Sequence, residues 1–196
     1  MTGEGAPEGH RRLQAEAVEL EGRGQRHLLA GEAEAARAAF AAAAERYRAS
    51  WEAAPPGGYG RLIGMVKAAL VAGGGEAEAT YAREAVGAEG GSAPASYVVA
   101  VAALVERDDV AAGRAAAAMA VGGPAFERTA AALDALAHAD GPAYREALEA
   151  VVRDFEGRDA HLTGVPVADT ALMLERLAER RGLAARPASP VTPALP

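Results

Sequence analysis

The chain has 196 residues and no cysteine. Without thiols it can form no disulfide bond, no thiolate metal site and no thiolate nucleophile. Lysine occurs once, at Lys67, so arginine carries nearly all the positive charge. The net charge is −7, and this acidic excess disfavours phosphate backbones and anionic membrane surfaces as partners. We therefore expect no nucleic acid and no membrane partner.

Long apolar runs and signal-peptide features are also missing. The longest uncharged apolar run, residues 95–105, is far shorter than the roughly 20 residues that cross a bilayer. The first residues, Met1–Pro7, lack the basic and apolar stretches of a signal peptide. We therefore expect a cytoplasmic protein.

Alanine dominates what is present, and hydrophobic residues make up 51% of the chain. This content is enough for one domain with its own core, which we place at residues 1–183, followed by a proline-rich tail at 184–196. The heavy use of alanine and arginine indicates the coding bias of a high-GC bacterial genome.

Glycine, proline and aspartate separate the alanine-rich blocks at positions that suit helix ends. The pattern predicts an all-α fold of about nine helices, arranged as stacked antiparallel hairpins. We expect the helices at residues 8–30, 32–54, 59–72, 76–86, 94–107, 109–121, 124–139, 142–155 and 166–181.

The turns within the four predicted helix pairs recur at fairly regular intervals. The intervals are 43, 34 and 32 residues, measured between Gly31, Gly74, Asp108 and Asp140. The last two are close to the 34 residues of a tetratricopeptide repeat.

The first pair also carries small, turn and aromatic residues where that motif has them, at Gly24, Gly31, Ala36, Phe40 and Ala43. Small residues let the two helices approach closely, and a large residue fills the gap to the next hairpin. This pair resembles a tetratricopeptide repeat. The resemblance implies a right-handed array with a capping last helix, which binds a peptide or protein on its concave face.

The fifth predicted helix is apolar around its full circumference, which is typical of a helix covered on every side. In an open array one side of it would face the groove. A partner segment, a second subunit or another part of this chain should therefore cover it. The tetratricopeptide register predicts these groove residues: Arg61, Ala68, Val71, Val98, Ala102, Val105, Glu127, Asp134 and His138.

The C-terminal tail has prolines at intervals of three, at Pro187, Pro190, Pro193 and Pro196. Polyproline II has three residues per turn, so these prolines would share one face. An ordered strap across the helices, a free ligand for another protein and a disordered end are the three alternatives.

No pattern in the sequence predicts catalysis, a metal site or a cofactor. The four histidines are spread over separate segments without the spacing of a helical zinc site. Glu16, Glu19 and Glu21 on the first helix are interpreted as its solvated face. One polar cluster could bring carboxylates and an imidazole together, but a solvated helix end is favoured: Asp154, Glu156, Arg158, Asp159 and His161.

Three aromatic residues recur at near-helical spacing on the second helix, at Phe40, Tyr47 and Trp51. On a surface they would form an anchor set for a partner. We favour a role in core packing, because the chain has only three Phe and one Trp.

Three functions follow from these observations. The first is a protein- or peptide-binding module, either a scaffold or adaptor or an inhibitor of the immunity type. The second is a small-molecule or enzymatic pocket between helices that uses Asp134, His138 and His161. The third is a structural homo-oligomer, such as a homodimer that buries the apolar fifth helix.

Overall fold

A computed structural model describes residues 6–87 and 90–196. Residues 1–5 belong to the segment without signal-peptide features, and residues 88–89 belong to the glycine-rich loop after the fourth predicted helix. Both lie outside the described residues.

This part of the chain contains nine α-helices, one 3-10 turn and no strand. The predicted all-α class is therefore confirmed, and most helix ends lie within about two residues of the predicted ones. The helices are α1 (Ala6–Leu29), α2 (Ala33–Glu52), α3 (Gly60–Val71), α4 (Glu76–Val86), α5 (Ala93–Val105), α6 (Asp109–Met119), α7 (Pro124–Ala137), α8 (Gly141–Glu156) and α9 (Asp169–Glu179).

The aspartates at two of the predicted turns, Asp108 and Asp140, cap the starts of the helices that follow them. The Asp108 carboxylate accepts a hydrogen bond from the Ala111 amide at 3.1 Å, and Asp140 accepts one from Ala143 at 3.0 Å. Each cap satisfies an amide that has no partner within the helix. Local sequence therefore determines where these helices begin.

Helices α1 to α8 pack in chain order, each against the next. Helix α5 also contacts α3 and α7, so these three helices form an inner layer. Every residue of α5 from Ala95 to Leu104 is buried, which confirms that this helix is covered on all sides.

Two glycines permit close helix contacts. A Cβ atom at Gly24 would lie 2.9 Å from the ring of Phe40, and one at Gly64 would lie 2.8 Å from the ring of Tyr47. Both rings are buried, so the predicted packing role of these aromatics is confirmed. Trp51 is half-buried and stacks on Tyr59 with ring centroids 5.7 Å apart.

Helix α9 folds back across the inner layer. It contacts α3, α7 and α8, and the Tyr97 hydroxyl on α5 lies 3.9 Å from Sδ of Met173 on α9. Its apolar side chains Leu172 and Leu174 are buried. Helix α9 therefore lies along the stack and does not only cap its end.

Arginines clamp the end of α9 to the ends of the inner helices. Arg181 donates hydrogen bonds to the carbonyls of Leu104 and Leu136 at 3.0 and 3.2 Å. Arg180 donates to the Gly74 carbonyl at 2.6 Å. A cation at a helix C-terminus satisfies free carbonyls and matches the negative end of the helix dipole.

The C-terminal tail lies against α9 as an ordered strap. The Glu175 carboxylate accepts hydrogen bonds from the amides of Ala185 and Arg186, at 3.1 and 2.6 Å. Val191 is buried, and its carbonyl accepts a hydrogen bond from the Ala168 amide at 2.8 Å. Of the three alternatives predicted for the tail, the structure shows the ordered strap across the helices.

None of the helices in residues 6–87 and 90–196 combines the length and the apolar character that a membrane crossing requires.

Candidate functional site

The apolar residues of the predicted groove are inside the protein. Ala68, Val71, Val98 and Ala102 are all buried, and Val105 is half-buried. Helix α9 packs over the inner layer that carries them. Part of the same chain is therefore the cover that the apolar fifth helix requires.

The polar residues of the predicted groove are scattered. Arg61 donates a hydrogen bond to Ser50 at 2.9 Å, and Glu127 is exposed. The side chains of Asp134 and His138 are 50% and 68% exposed and lie 3.4 Å apart. The hypothesis that these two residues belong to an enclosed pocket is wrong, because both face solvent.

A different cavity, of about 230 Å³, lies beside the start of α9. Helices α1, α3 and α5 contribute its inner wall, and α7, α8 and the loop of residues 157–168 contribute its outer wall. Its polar lining residues are Gln25, Lys67, Tyr97, Arg128, Thr129, Asp154, Arg158, His161, Thr163, Asp169 and Thr170. The apolar ones are Ala125, Phe126, Val151, Phe155, Leu162 and Val167. We call this cavity the polar pocket.

The loop of residues 157–168 connects α8 to α9, borders the polar pocket and contacts α1 on its way. The Thr163 hydroxyl donates a hydrogen bond to the side-chain oxygen of Gln25. A Cβ atom at Gly22 would lie only 3.2 Å from Cβ of Thr163, so the missing side chain lets the loop approach. Small residues on α1 therefore serve loop docking as well as helix packing.

Lys67 and Asp169 form an ion pair at the floor of the polar pocket, with side chains 13% and 14% exposed. The Asp169 carboxylate also accepts a hydrogen bond from the Thr170 amide at 2.6 Å. Nearby, Glu21 is 2% exposed and accepts a hydrogen bond from the Tyr47 hydroxyl at 2.6 Å. We call Glu21, Tyr47, Lys67 and Asp169 the floor cluster.

Glu21 corrects the prediction of a solvated face on α1. It follows Ala17 by four residues and precedes Gly24 by three, and both of these are buried. This spacing places all three on one face of the helix. The charge pattern predicted that the Glu21 side chain is exposed to solvent, but the helical register places it in the protein interior.

Burial and neighbouring charges shift the pKa values of the groups in and beside the floor cluster. It raises the pKa of Glu21 to about 7, against the opposing attraction of Lys67. Burial by itself lowers the pKa of Lys67, because it disfavours the charged ammonium. The carboxylates of Asp169 and Glu21 together have the larger effect, so the pKa of Lys67 is raised. Burial and the charge of Asp169 raise the pKa of Tyr97 to about 12. Lys67 and Tyr97 are therefore both protonated at neutral pH.

A second group of charges lies at the outer wall. Asp154 accepts hydrogen bonds from Arg128 through one oxygen and from Arg158 through the other, the latter at 2.6 and 3.1 Å. The Arg158 guanidinium also lies 3.6 Å from the centroid of the Phe155 ring. We call Arg128, Asp154, Arg158 and His161 the rim cluster.

His161 adds an unused hydrogen-bonding atom. Its Nδ1 is buried and has no hydrogen-bond partner among the described residues. The imidazole lies 6.2 Å from the Phe155 ring, centroid to centroid. Buried polar atoms normally have partners, but this nitrogen is inaccessible to water and so does not face the open space of the polar pocket.

Sequence reasoning missed most of this site, although some signals were present. Three members of the predicted polar cluster, Asp154, Arg158 and His161, do line the pocket. Glu156 instead accepts a hydrogen bond from Ser189 at 2.5 Å. Lys67 is the only lysine of an arginine-rich chain. This exception is a signal that could have identified Lys67 as a candidate site residue.

The structure groups no three or more His, Asp or Glu side chains as metal ligands within residues 6–87 and 90–196. Comparison of the chain with protein-family models, curated proteins and solved structures gives no match. The resemblance to tetratricopeptide repeats therefore stays a prediction.

Proposed function

We propose that this protein binds a small organic molecule in the polar pocket. The observation that carries the proposal is the convergence of charged groups and aromatic walls in one cavity beneath a docked loop. Ligand sites are typically concave, with apolar walls and a few polar groups that fix the orientation of the ligand.

The dimensions of the cavity favour a small ligand. Its volume of about 230 Å³ corresponds to roughly eight water molecules in the liquid. This is room for a molecule of about the size of an amino acid, and too little for a folded peptide segment.

The chemistry of the pocket favours binding over covalent catalysis. A lysine nucleophile must lose its proton before it attacks a carbonyl carbon, but the carboxylates around Lys67 raise its pKa. Lys67 therefore acts as a fixed positive charge.

A protein or peptide partner on the concave face is the alternative. Such a partner would have to displace α9, whose side chains Leu172, Met173 and Leu174 are buried. It would also have to release the arginine contacts that hold the end of α9. The covered face is the reason why we place the pocket ligand first.

A thermal-shift screen of the full chain against a library of small metabolites tests the proposed function. A ligand present at 100 times its Kd stabilises a protein by about 2.7 kcal/mol. For a chain of this size, this raises Tm by about 5 to 10 °C.

Two alanines of α7 supply matched control variants. Ala125 and Ala131 are both exposed on this helix, but only Ala125 lines the polar pocket. We expect Ala125→Trp to abolish the Tm shift of a hit and Ala131→Trp to preserve it. If both variants keep the full shift, or if no compound stabilises the protein, the proposed function is wrong.

A further inference from the structure

The charges that line the polar pocket do not cancel. Lys67, Arg128 and Arg158 are positive, whereas Asp154 and Asp169 are negative. This leaves one surplus positive charge among the lining residues when histidine and the buried Glu21 behind the floor are counted as neutral. The chain as a whole carries a net charge of −7. The lining of the pocket therefore carries a positive net charge in a chain whose overall net charge is negative.

The surplus charge belongs to the rim cluster. At the floor, Lys67 and Asp169 pair one to one. At the rim, two guanidinium groups share the single carboxylate of Asp154. A guanidinium has five N–H donors, so the two arginines retain donors for a second carboxylate.

Two helices begin at the cavity. Helix α7 contributes Ala125 and Phe126 from its first turn, and α9 contributes Asp169 and Thr170 from its own. The N-cap residues Gly123 and Ala168 provide no side-chain hydrogen bond to either start. At α9 the carboxylate of Asp169 already accepts a hydrogen bond from the Thr170 amide, so only the positive end of the α7 dipole remains to favour a further anion near the pocket.

The remaining walls indicate the shape of the ligand body. Phe126 and Phe155 line the pocket beside the rim cluster. The Arg158 guanidinium covers one face of the buried Phe155 ring, so the half-buried Phe126 is the ring on which a flat ligand can pack.

We infer that the ligand is a small monocarboxylate with a flat apolar body, whose carboxylate binds Arg128 and Arg158. This inference rests on the proposed function and specifies its ligand class. One negative charge matches the one surplus positive charge, and guanidinium groups hold carboxylates through paired hydrogen bonds.

Three probes have nearly equal shape but different charge: benzoate is an anion, benzamide is neutral and benzamidinium is a cation. A comparison of their binding therefore separates the effect of ligand charge from the effect of ligand shape. The single lysine makes the measurement direct, because ¹³C-lysine labelling gives one Cε signal, from Lys67 in the pocket. We expect benzoate to shift this signal at millimolar concentration. We expect benzamide to bind at least tenfold more weakly and benzamidinium to leave the signal unchanged.

Two arginines near the end of α8 provide the matched pair of variants. Arg158 belongs to the rim cluster, whereas Arg153 pairs with Glu149 on the surface, with its side chain 64% exposed. We expect Arg158→Gln to weaken benzoate binding about tenfold and Arg153→Gln to leave it unchanged.

Equal binding of all three probes, or a preference for benzamidinium, overturns the inference about charge and leaves the proposed function standing. A metabolite screen whose only pocket ligands are cations has the same meaning. If no probe moves the Lys67 signal and no metabolite stabilises the chain, the inference and the proposed function fail together.

Discussion

The floor cluster and the rim cluster use the same charged chemistry in different surroundings. In the floor cluster, Lys67 and Asp169 are mostly buried, and Glu21 is nearly inaccessible. In the rim cluster, the side chains of Arg128, Asp154 and Arg158 are between 27% and 37% exposed. Water reaches one cluster and is nearly excluded from the other.

Burial decides what each cluster can do. A buried charge that loses its partner is strongly destabilising, whereas an exposed ion pair contributes little to stability and exchanges partners readily. The floor cluster therefore holds α9 on α3 and α1. The rim cluster is free to exchange hydrogen bonds with a ligand.

Replacement of Lys67 by methionine should give the largest loss of stability. It leaves the carboxylate of Asp169 buried without its cation, which typically costs about 3 to 5 kcal/mol. Urea denaturation should show this loss, whereas Arg158→Met at the rim should cost less than about 1 kcal/mol. Equal losses at the two positions would contradict the contrast between the clusters.

A double variant tests whether the cost arises from the unpaired charge. Addition of Asp169→Asn to Lys67→Met removes the uncompensated carboxylate, so the double variant should be more stable than Lys67→Met alone. Strict additivity of the two single losses would indicate that the residues do not interact.

The pH dependence of stability should reveal the proton on Glu21. Its pKa is about 7 in the folded protein and 4.5 ordinarily, so the folded state binds this proton more tightly. The stabilisation is fully present below pH 4.5 and is lost as the pH rises through about 7. The loss amounts to at most about 3 kcal/mol.

Urea denaturation between pH 5 and pH 8 measures this effect. Glu21→Gln should flatten the decline, because glutamine does not titrate and its oxygen still accepts the Tyr47 hydrogen bond. Glu19→Gln is the matched control, since Glu19 is exposed on the same helix. A decline of equal size in the Glu21→Gln variant would show that other groups cause it.

Removal of the tail extends the comparison to a third buried carboxylate. Glu175 is 6% exposed and accepts hydrogen bonds from Tyr144 and from the amides of Ala185 and Arg186. A chain that ends at Leu183 removes both amides and uncovers the site of Val191. We expect a loss of about 2 kcal/mol, from one apolar side chain and two hydrogen bonds.

Thermal unfolding and hydrophobic-dye binding of the shortened chain test this prediction. Tm should fall and dye binding should rise relative to the full chain. Unchanged Tm and dye binding would mean that the tail does not act as a strap in solution.

The smallest effect on stability should come from Asp154→Asn, at less than about 1 kcal/mol. This variant increases the surplus positive charge at the rim, so benzoate should bind several-fold more tightly. Titration followed by the Lys67 signal measures the change. Weaker binding would show that Asp154 orients the arginines and that its charge matters less.

The sequence predicted the features that depend on neighbouring residues. Asp108 and Asp140 stand before helices because their carboxylates accept amide hydrogen bonds from the first turn. The apolar circumference of α5 predicted full burial, which does not depend on the identity of the cover. The close contact of Gly24 with Phe40 agrees with the small-residue pattern of the first pair.

The polar pocket could not be predicted in the same way. Its contacts join residues far apart in the chain, such as Lys67 with Asp169 and Gln25 with Thr163. The predicted pocket residues Asp134 and His138 lie one turn apart at the end of α7, with His138 directly after its last residue, but both side chains point to solvent. Spacing shows which residues share a face, and packing decides where that face points.

The sequence by itself determined the all-helical architecture, because helix propensity, caps and breakers act over a few residues. It also required a cover for α5, because an apolar surface of that size is unfavourable in water. Only the tertiary structure decided that α9 is this cover and that the loop before it reaches α1. These choices depend on how surfaces fit across the whole chain, and that fit placed the single lysine at the floor of a pocket.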